Sequence, residues 1–361
     1  MKLKIIKGID SIVGNVLASV LPGGKKGALA APKSCLFIRP GGIGDAVLLL
    51  PAINAFHAAF PGCSIDVLAE TRNAAAFQFA PCIRELHRYD SASGIADVLR
   101  AGYDLVIDTE QWHRLSAVVA RLAAPVSIGF ATNRRNRLFS HQIPYSHDDY
   151  ETKSFFNLLA PLGIAPPAEL QTPFLSIPGE AAARAESLLA RISGRPFAVI
   201  FPGASIAERR WGHQRFREVA QRLVLTGLAV VVVEGGEDAD QGDFIVRPCG
   251  GVNLAGKTSL AETAAVIARS TLLLSGDSGV LHMAVGLGIP TVSLFGPGIE
   301  AKWGAKGEGD LVLNRRLPCS PCTRFGTTPA CPIQARCLSE ITPQEVVGAI
   351  NALLSKLYPG E

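Results

Sequence analysis

From residue 35 onward, short apolar runs alternate with longer amphipathic stretches. Cys35–Arg39 reads as a buried strand, and further strand candidates follow at Ile65–Ala69, Arg84–Tyr89, Asp104–Thr109 and Ser127–Phe130. Helical stretches lie between most of them, the first over Ala46–Phe60. A second set follows at Ala198–Phe201, Val230–Glu234, Val252–Ala255, Leu272–Ser275 and Thr291–Phe295. Helices are predicted at Phe216–Leu225 and Val280–Leu287. This alternation predicts an α/β protein with parallel sheets. Two such sets predict two Rossmann-like doubly wound domains. The carboxyl ends of their strands, where ligands bind in such sheets, are expected to face a central cleft.

A Pro-rich stretch from Pro161 to Pro178 marks the join. The expected divisions are a first domain over 34–165, a linker over 166–180 and a second domain over 181–342. A final helix within 343–361 carries Val346, Val347, Ile350, Leu353 and Leu354, and is expected to cross back to the first domain. Residues 1–33 differ from the rest. Ile5, Ile9, Ile12, Val16 and Val20 recur at helical spacing, and Lys2, Lys4, Lys7, Lys25, Lys26 and Lys33 leave Asp10 as the only acid. Charge and Gly interrupt the apolar positions, and the Pro22–Lys26 exit has no small-residue cleavage pattern, which argues against a signal peptide. A basic amphipathic helix on an anionic membrane surface fits better, with docking on its own domain as the alternative.

Composition narrows the field. The chain has 361 residues, enough for two domains, and a net charge of +4 with no nucleic-acid module, so no nucleic-acid partner is expected. No apolar run reaches membrane-spanning length. Eight cysteines in a chain this long do not form a disulfide framework; four are scattered and four cluster at the C-terminal end, which suggests a reducing compartment. The cluster Cys319-x2-Cys322-x8-Cys331-x5-Cys337 offers four thiolates, a set suited to a structural zinc or iron, with free thiols as the alternative.

Three stretches carry candidate chemistry. Gly42-Ile43-Gly44 before Asp45-Ala46-Val47 nearly matches a dinucleotide fingerprint, with Glu70 placed like a ribose-binding acid. That makes an NAD-dependent dehydrogenase a rival. However, Val47 replaces the third glycine, and Asp45 sits at the helix start, where it would repel a pyrophosphate. A carboxylate held there can instead take a proton from a hydroxyl. In the second half, Arg209 and Arg210 at a strand exit can neutralise a diphosphate, with Trp211 as a wall. An acid after Gly235-Gly236, either Glu237 or Asp238, can hold ribose hydroxyls. The stretch TLLLSGDSGVLHMAVGLGIPTVSLFGP, residues 271–297, reads as strand, turn, helix and strand, with Asp277, Ser278 and His282 around an anion-binding helix start.

Together IRPGGIGDAVLLLPAINAF, FPGASIAERRWGHQRF, SGDSGVLHMAVGLGIPTVSLFGP and CSPC…CPI…CLSEITPQEV resemble glycosyltransferase family 9, the ADP-heptose:lipopolysaccharide heptosyltransferases, over most of residues 35–350. The resemblance implies the GT-B fold. It implies inverting transfer of heptose from ADP-heptose to a lipopolysaccharide inner-core acceptor. Asp45 would be the general base, and Gly42 and Gly44 would lie beside the acceptor. Arg209 stands where the family often has Lys, with Arg210 next to it. Asp277, Ser278, Gly279 and His282 match the family's diphosphate turn, and Glu237 or Asp238 would contact ribose. Gln111, Arg114, Arg134, Arg135 and Arg137 are candidates for the anionic acceptor. No catalytic cofactor is expected. The enzyme is expected in the cytoplasm, peripheral on the inner membrane. Rivals of other kinds are a transferase of the same fold using another nucleotide-sugar, a sugar-nucleotide epimerase, and a non-catalytic carbohydrate-binding or assembly protein.

Overall fold

The computed structural model describes residues 14–24, 31–324 and 327–359. Ile5, Ile9, Ile12 and most of the lysines of the proposed membrane segment lie outside them. The chain divides into two compact units, Met1–Leu170 and Gln171–Glu361.

The first unit is built on β1 (Ser34–Arg39), β2 (Ser64–Ala69), β3 (Ile83–Arg88), β4 (Leu105–Asp108), β5 (Val126–Phe130) and β6 (His141–Ile143). All pairings are parallel, in the order β3-β2-β1-β4-β5-β6. The chain winds outward from β1 one way and then from β4 the other, so the switch point lies between β1 and β4. Its helices are α1 (Asn15–Val20), α2 (Ile43–Ala59), α3 (Ala92–Ala101), α4 (Arg114–Ala123) and α5 (Glu151–Leu159). Helix α2 is apolar on nearly every side and buries Ala46 through Ile53, with Phe56 edge-on to Phe37 of β1 at 5.4 Å. Pro51 removes one backbone donor inside it, and the Thr152 hydroxyl of α5 donates to Leu48 O at 3.2 Å nearby.

Helix α1 packs on α4, burying Ala18 and leaving Val16 and Val20 exposed. Arg137 anchors it, donating to Ala18 O at 2.6 Å and Leu21 O at 2.9 Å. Arg137 therefore braces the N-terminal segment. Among the described residues, no helix is long and apolar enough to cross a membrane.

The second unit contains β7 (Phe197–Phe201), β8 (Ala229–Val232), β9 (Val252–Asn253), β10 (Leu272–Gly276), β11 (Thr291–Phe295) and β12 (Asp310–Asn314). They form a parallel sheet in the order β12-β11-β10-β7-β8-β9, with the switch point between β7 and β10. The helices are α6 (Gly179–Leu189), α7 (His213–Leu225), α8 (Ala239–Val246), α9 (Leu260–Ile267), α10 (Gly279–Leu287), α11 (Glu300–Trp303), α12 (Arg336–Ser339) and α13 (Pro343–Leu357). Side chains fix several helix starts. Ser259 with Glu262 and Thr342 with Glu345 form capping boxes on α9 and α13, and Pro343 takes the first position of α13. The apolar face of α13, offered above for a return to the first domain, is spent inside this unit. Val346, Ile350 and Leu353 join the core formed by β7, β8, β10, β11 and α7.

Candidate active site

In the first unit the switch point brings together the ends of β1 and β4 and the start of α2. Arg39 ends an otherwise apolar strand and is 3 % exposed. Its guanidinium donates to Thr109 O at 2.8 Å and to Asp45 Oδ2 at 3.1 Å, and lies 5.5 Å from the Phe155 ring centroid. Burial opposes its charge, but the Asp45, Glu110 and Glu151 carboxylates overcome this and raise it above the ordinary arginine range. Gly42 caps α2 without a side-chain hydrogen bond, so Asp45 is the acid of the first turn, and its side chain is 25 % exposed. A carboxylate so placed is stabilised by the helix dipole and oriented by a fixed cation.

The loop after β4 is organised by a second buried acid. Glu110 Oε1 accepts the amides of Gln111 at 2.9 Å and Trp112 at 2.8 Å. Burial alone would raise its pKa, but Arg39, His113, Arg135 and the Trp112 amide lower it. The loop turns outward and exposes Trp112, an aromatic face suited to a sugar ring.

The proposed acceptor contacts separate. Gln111 donates to Glu151, and Arg114 donates to Asn133 O at 3.1 Å and Asn133 Oδ1 at 2.8 Å. Arg134 is exposed. Arg135 is a correction: its side chain is fully buried and donates to Asp108 Oδ2 at 2.6 Å and His113 O at 2.6 Å. Burial raises Asp108 to about 6, against the pull of Arg135. Glu70 is buried and pairs with Arg72 at 2.5 Å.

In the second unit the ends of β7 and β10 frame a cationic site. Arg209 Nη1 lies 2.9 Å from Asp277 Oδ2, with the two side chains 15 % and 8 % exposed. Ser278 caps α10: its Oγ accepts from Leu281 N at 3.4 Å and contacts Ser275 Oγ at 2.7 Å. Gly279 opens that helix, whose first-turn amides carry its positive pole, and His282 is buried one turn in. Arg210 turns the other way, donating to Ala204 O at 3.0 Å and pairing with Asp238 at 3.3 Å. Glu237 is exposed. Trp211, expected to wall a pocket, is a core residue. It is 2 % exposed, stacks edge-on with Phe216 at 4.9 Å and donates to Ile341 O at 3.0 Å.

Glu234 escapes sequence reasoning because it looks like one more loop acid. It is 9 % exposed, neither carboxylate oxygen accepts a hydrogen bond, and a Cβ on Gly203 would run into its Oε1. Burial first, then the Asp238 carboxylate, push it up to about 8, with Arg210 opposing. The folded protein therefore keeps a proton that the unfolded chain releases near the ordinary glutamate value of 4.5. This contribution to stability is full at low pH and is lost as pH rises through that window. Glu234→Gln is expected to remove several kcal/mol of pH-dependent loss between about pH 5 and about pH 8.5. Thermal unfolding of both proteins across that range measures it, and parallel profiles would contradict the assignment.

The cysteine cluster ranges from exposed Cys319 to buried Cys337. Burial and then the neighbouring thiols raise Cys322 and Cys337, and Ala335 N donates to Cys331 Sγ at 3.2 Å. Among the described residues, no three of these sulfurs lie within 4.8 Å of one another; the group that does is Asp66, Glu85 and His87. There Asp66 is already taken by Arg84 at 2.9 Å and Tyr103 at 2.8 Å. The four-thiol donor set suits a soft metal, and the amide donated to Cys331 suits a thiolate ligand.

The comparisons agree on the family. The chain is 25% identical over 357 residues to lipopolysaccharide heptosyltransferase 1 of Pseudomonas aeruginosa, covering 88% of this chain and 97% of that relative. The solved E. coli ADP-heptose lipopolysaccharide heptosyltransferase II is 23% identical with a TM-score of 0.73, covering 90% of this chain and 99% of that one. TibC, a dodecameric iron-containing heptosyltransferase solved with ADP-D-β-D-heptose, is 16% identical with a TM-score of 0.61, covering 91% and 78%. At those identities the solved structures speak to the fold, and they share the GT-B arrangement of two Rossmann-like domains. The model of Glycosyltransferase family 9 (heptosyltransferase) matches residues 94–331, so the chain belongs to that family and is a glycosyltransferase.

Proposed function

We propose that this enzyme transfers heptose from ADP-heptose to a lipopolysaccharide inner-core acceptor with inversion. The observation that carries the chemistry is Asp45, partly exposed at the start of α2 and held by buried Arg39 at 3.1 Å. The acceptor hydroxyl attacks the anomeric carbon from the face opposite the diphosphate. The new C–O bond forms as the sugar–phosphate bond breaks, and the electron pair leaves on ADP. Asp45 takes the hydroxyl proton. Arg209 and the α10 start neutralise the leaving diphosphate, with Asp277, Ser278, Gly279 and His282 shaping that turn. Arg210, with Glu237 or Asp238, serves the ribose side. The acceptor meets Gly42, Gly44, Trp112 and Arg134, while Gln111 and Arg114 hold the loop.

The donor assignment draws on relatives named as lipopolysaccharide heptosyltransferases and on a neighbour solved with ADP-heptose. Cys319, Cys322, Cys331 and Cys337 would hold a structural zinc or iron, which would tie down their loop when bound. The exposed Val16 and Val20 of α1, beside a lysine-rich segment, support association with an anionic inner-leaflet surface.

Arg209→Ala is expected to weaken ADP binding about ten- to a hundredfold, because it removes charge-assisted bonds to phosphate, and Arg209→Lys less so. Calorimetric titration reads this; equal ADP affinity in all three proteins would remove Arg209 from the site. For the whole reading, the enzyme is given heptose-deficient core acceptor with ADP-heptose and competing UDP- and GDP-sugars. Mass spectrometry is expected to find heptose alone on the acceptor. Addition of another sugar would reassign the donor, and an unmodified acceptor would remove the catalytic reading.

A further inference from the structure

We infer that the cysteine loop positions the phosphate-binding arginine, and that Thr323 is the residue through which it acts. This rests on the reading of Arg209 as the donor-phosphate cation. After β11 the chain runs through Gly296, Pro297 and Gly298, and the cysteine loop grips this segment. Pro297 O accepts the amides of Cys322 at 3.1 Å and Thr323 at 2.9 Å. Gly296 O accepts from the Ser320 hydroxyl. A Cβ on Gly296 would lie 2.9 Å from Cys337 Sγ and 2.7 Å from Leu338 Cγ, so only glycine fits beneath that thiol.

The same segment touches the cationic site from its other end. A Cβ on Gly298 would run into the Asp277 carboxylate. Asp277 pairs with Arg209 Nη1 at 2.9 Å, and Arg209 Nη2 donates to Thr323 Oγ1 at 3.4 Å. Thr323 is 3 % exposed, and its hydroxyl also meets Thr328 Oγ1 at 2.8 Å. Contacts therefore close a ring through Cys322, Thr323, Arg209, Asp277, Gly298 and Pro297. A guanidinium held on one side by an acid and on the other by a hydroxyl has its fork direction fixed. Thr323 joins the end of that fork to the loop that carries Cys319, Cys322, Cys331 and Cys337.

The test measures ADP and adenosine binding by calorimetry, because adenosine keeps the base and ribose but lacks the phosphates. Thr323→Val is expected to weaken ADP about five- to tenfold and leave adenosine unchanged, and Thr323→Ser to restore ADP binding. Cys337→Ser is expected to produce the same phosphate-specific loss. In an Arg209→Ala background, Thr323→Val is expected to add nothing, since the two act as one unit. Equal losses for ADP and adenosine would mean general loosening and overturn the inference. Unchanged ADP binding in Thr323→Val would also overturn it. If wild type fails to bind ADP, the donor reading falls and takes the inference with it. If wild type binds and the variants match it, the inference alone falls.

Discussion

Asp45→Asn is expected to lower acceptor-dependent transfer about a thousandfold while ADP affinity and thermal stability stay near wild type. The substitution keeps the shape of the side chain. Its amide oxygen can still accept from Arg39 Nη2, now 3.1 Å from Asp45 Oδ2, so the geometry at the start of α2 is retained. What disappears is a site that can take the proton of the attacking hydroxyl. The loss should fall on kcat, because the base acts as the bond forms and contributes little to holding ground-state ligands. Steady-state rates with saturating donor and acceptor, beside calorimetric ADP affinity, separate the two effects. A variant with near-normal kcat would remove Asp45 from the chemistry. A variant that lost ADP binding would make it a structural residue.

Arg135→Met is expected to destabilise the first unit by about 3–5 kcal/mol. The Arg135–Asp108 pair lies at 2.6 Å with both side chains at 0 % exposure. Truncation strands a buried carboxylate that already sits at about 6 with its partner in place. The cost should ease at about pH 5, where Asp108 takes up a proton instead of remaining charged. Replacing both residues with apolar ones should cost less than replacing Arg135 alone. Chemical denaturation of the single and double variants at two pH values tests this. A neutral single variant would contradict the buried-pair account and return Arg135 to the surface role read from sequence.

These two residues also show where sequence reading ends. The place of Asp45 in the fold was legible because its signal is local: a glycine turn after an apolar strand, then an acid at a helix start. Most of the predicted strands were legible for the same reason, since a buried parallel strand needs only a short apolar stretch; β3 was found without one, its residues being mostly half-buried or exposed. The edge strands β6 and β12 were not, because their residues are only partly buried or exposed and lack that signature. Arg135 stands in a run of arginines whose members look alike. Asn133 and Arg134 adopt left-handed backbone, at φ 48° and 58°, and the turn they make leaves Arg134 outside and Arg135 inside.

Trp211 was misplaced and Arg39 passed over for another reason. The Trp211 indole is satisfied by Ile341 O, 130 residues away, and Arg39 by Thr109 O, 70 residues away. No local pattern foretells such partners. Glu234 and Thr323 are similar: each becomes notable only when folding brings Gly203 or Arg209 against it.

The measurement that bears most directly on the account is ADP release from ADP-heptose, with and without heptose-deficient core acceptor, in wild type. Release is expected to depend on acceptor and to match the heptose added to it. Release at the same rate without acceptor, or no release at all, would contradict it.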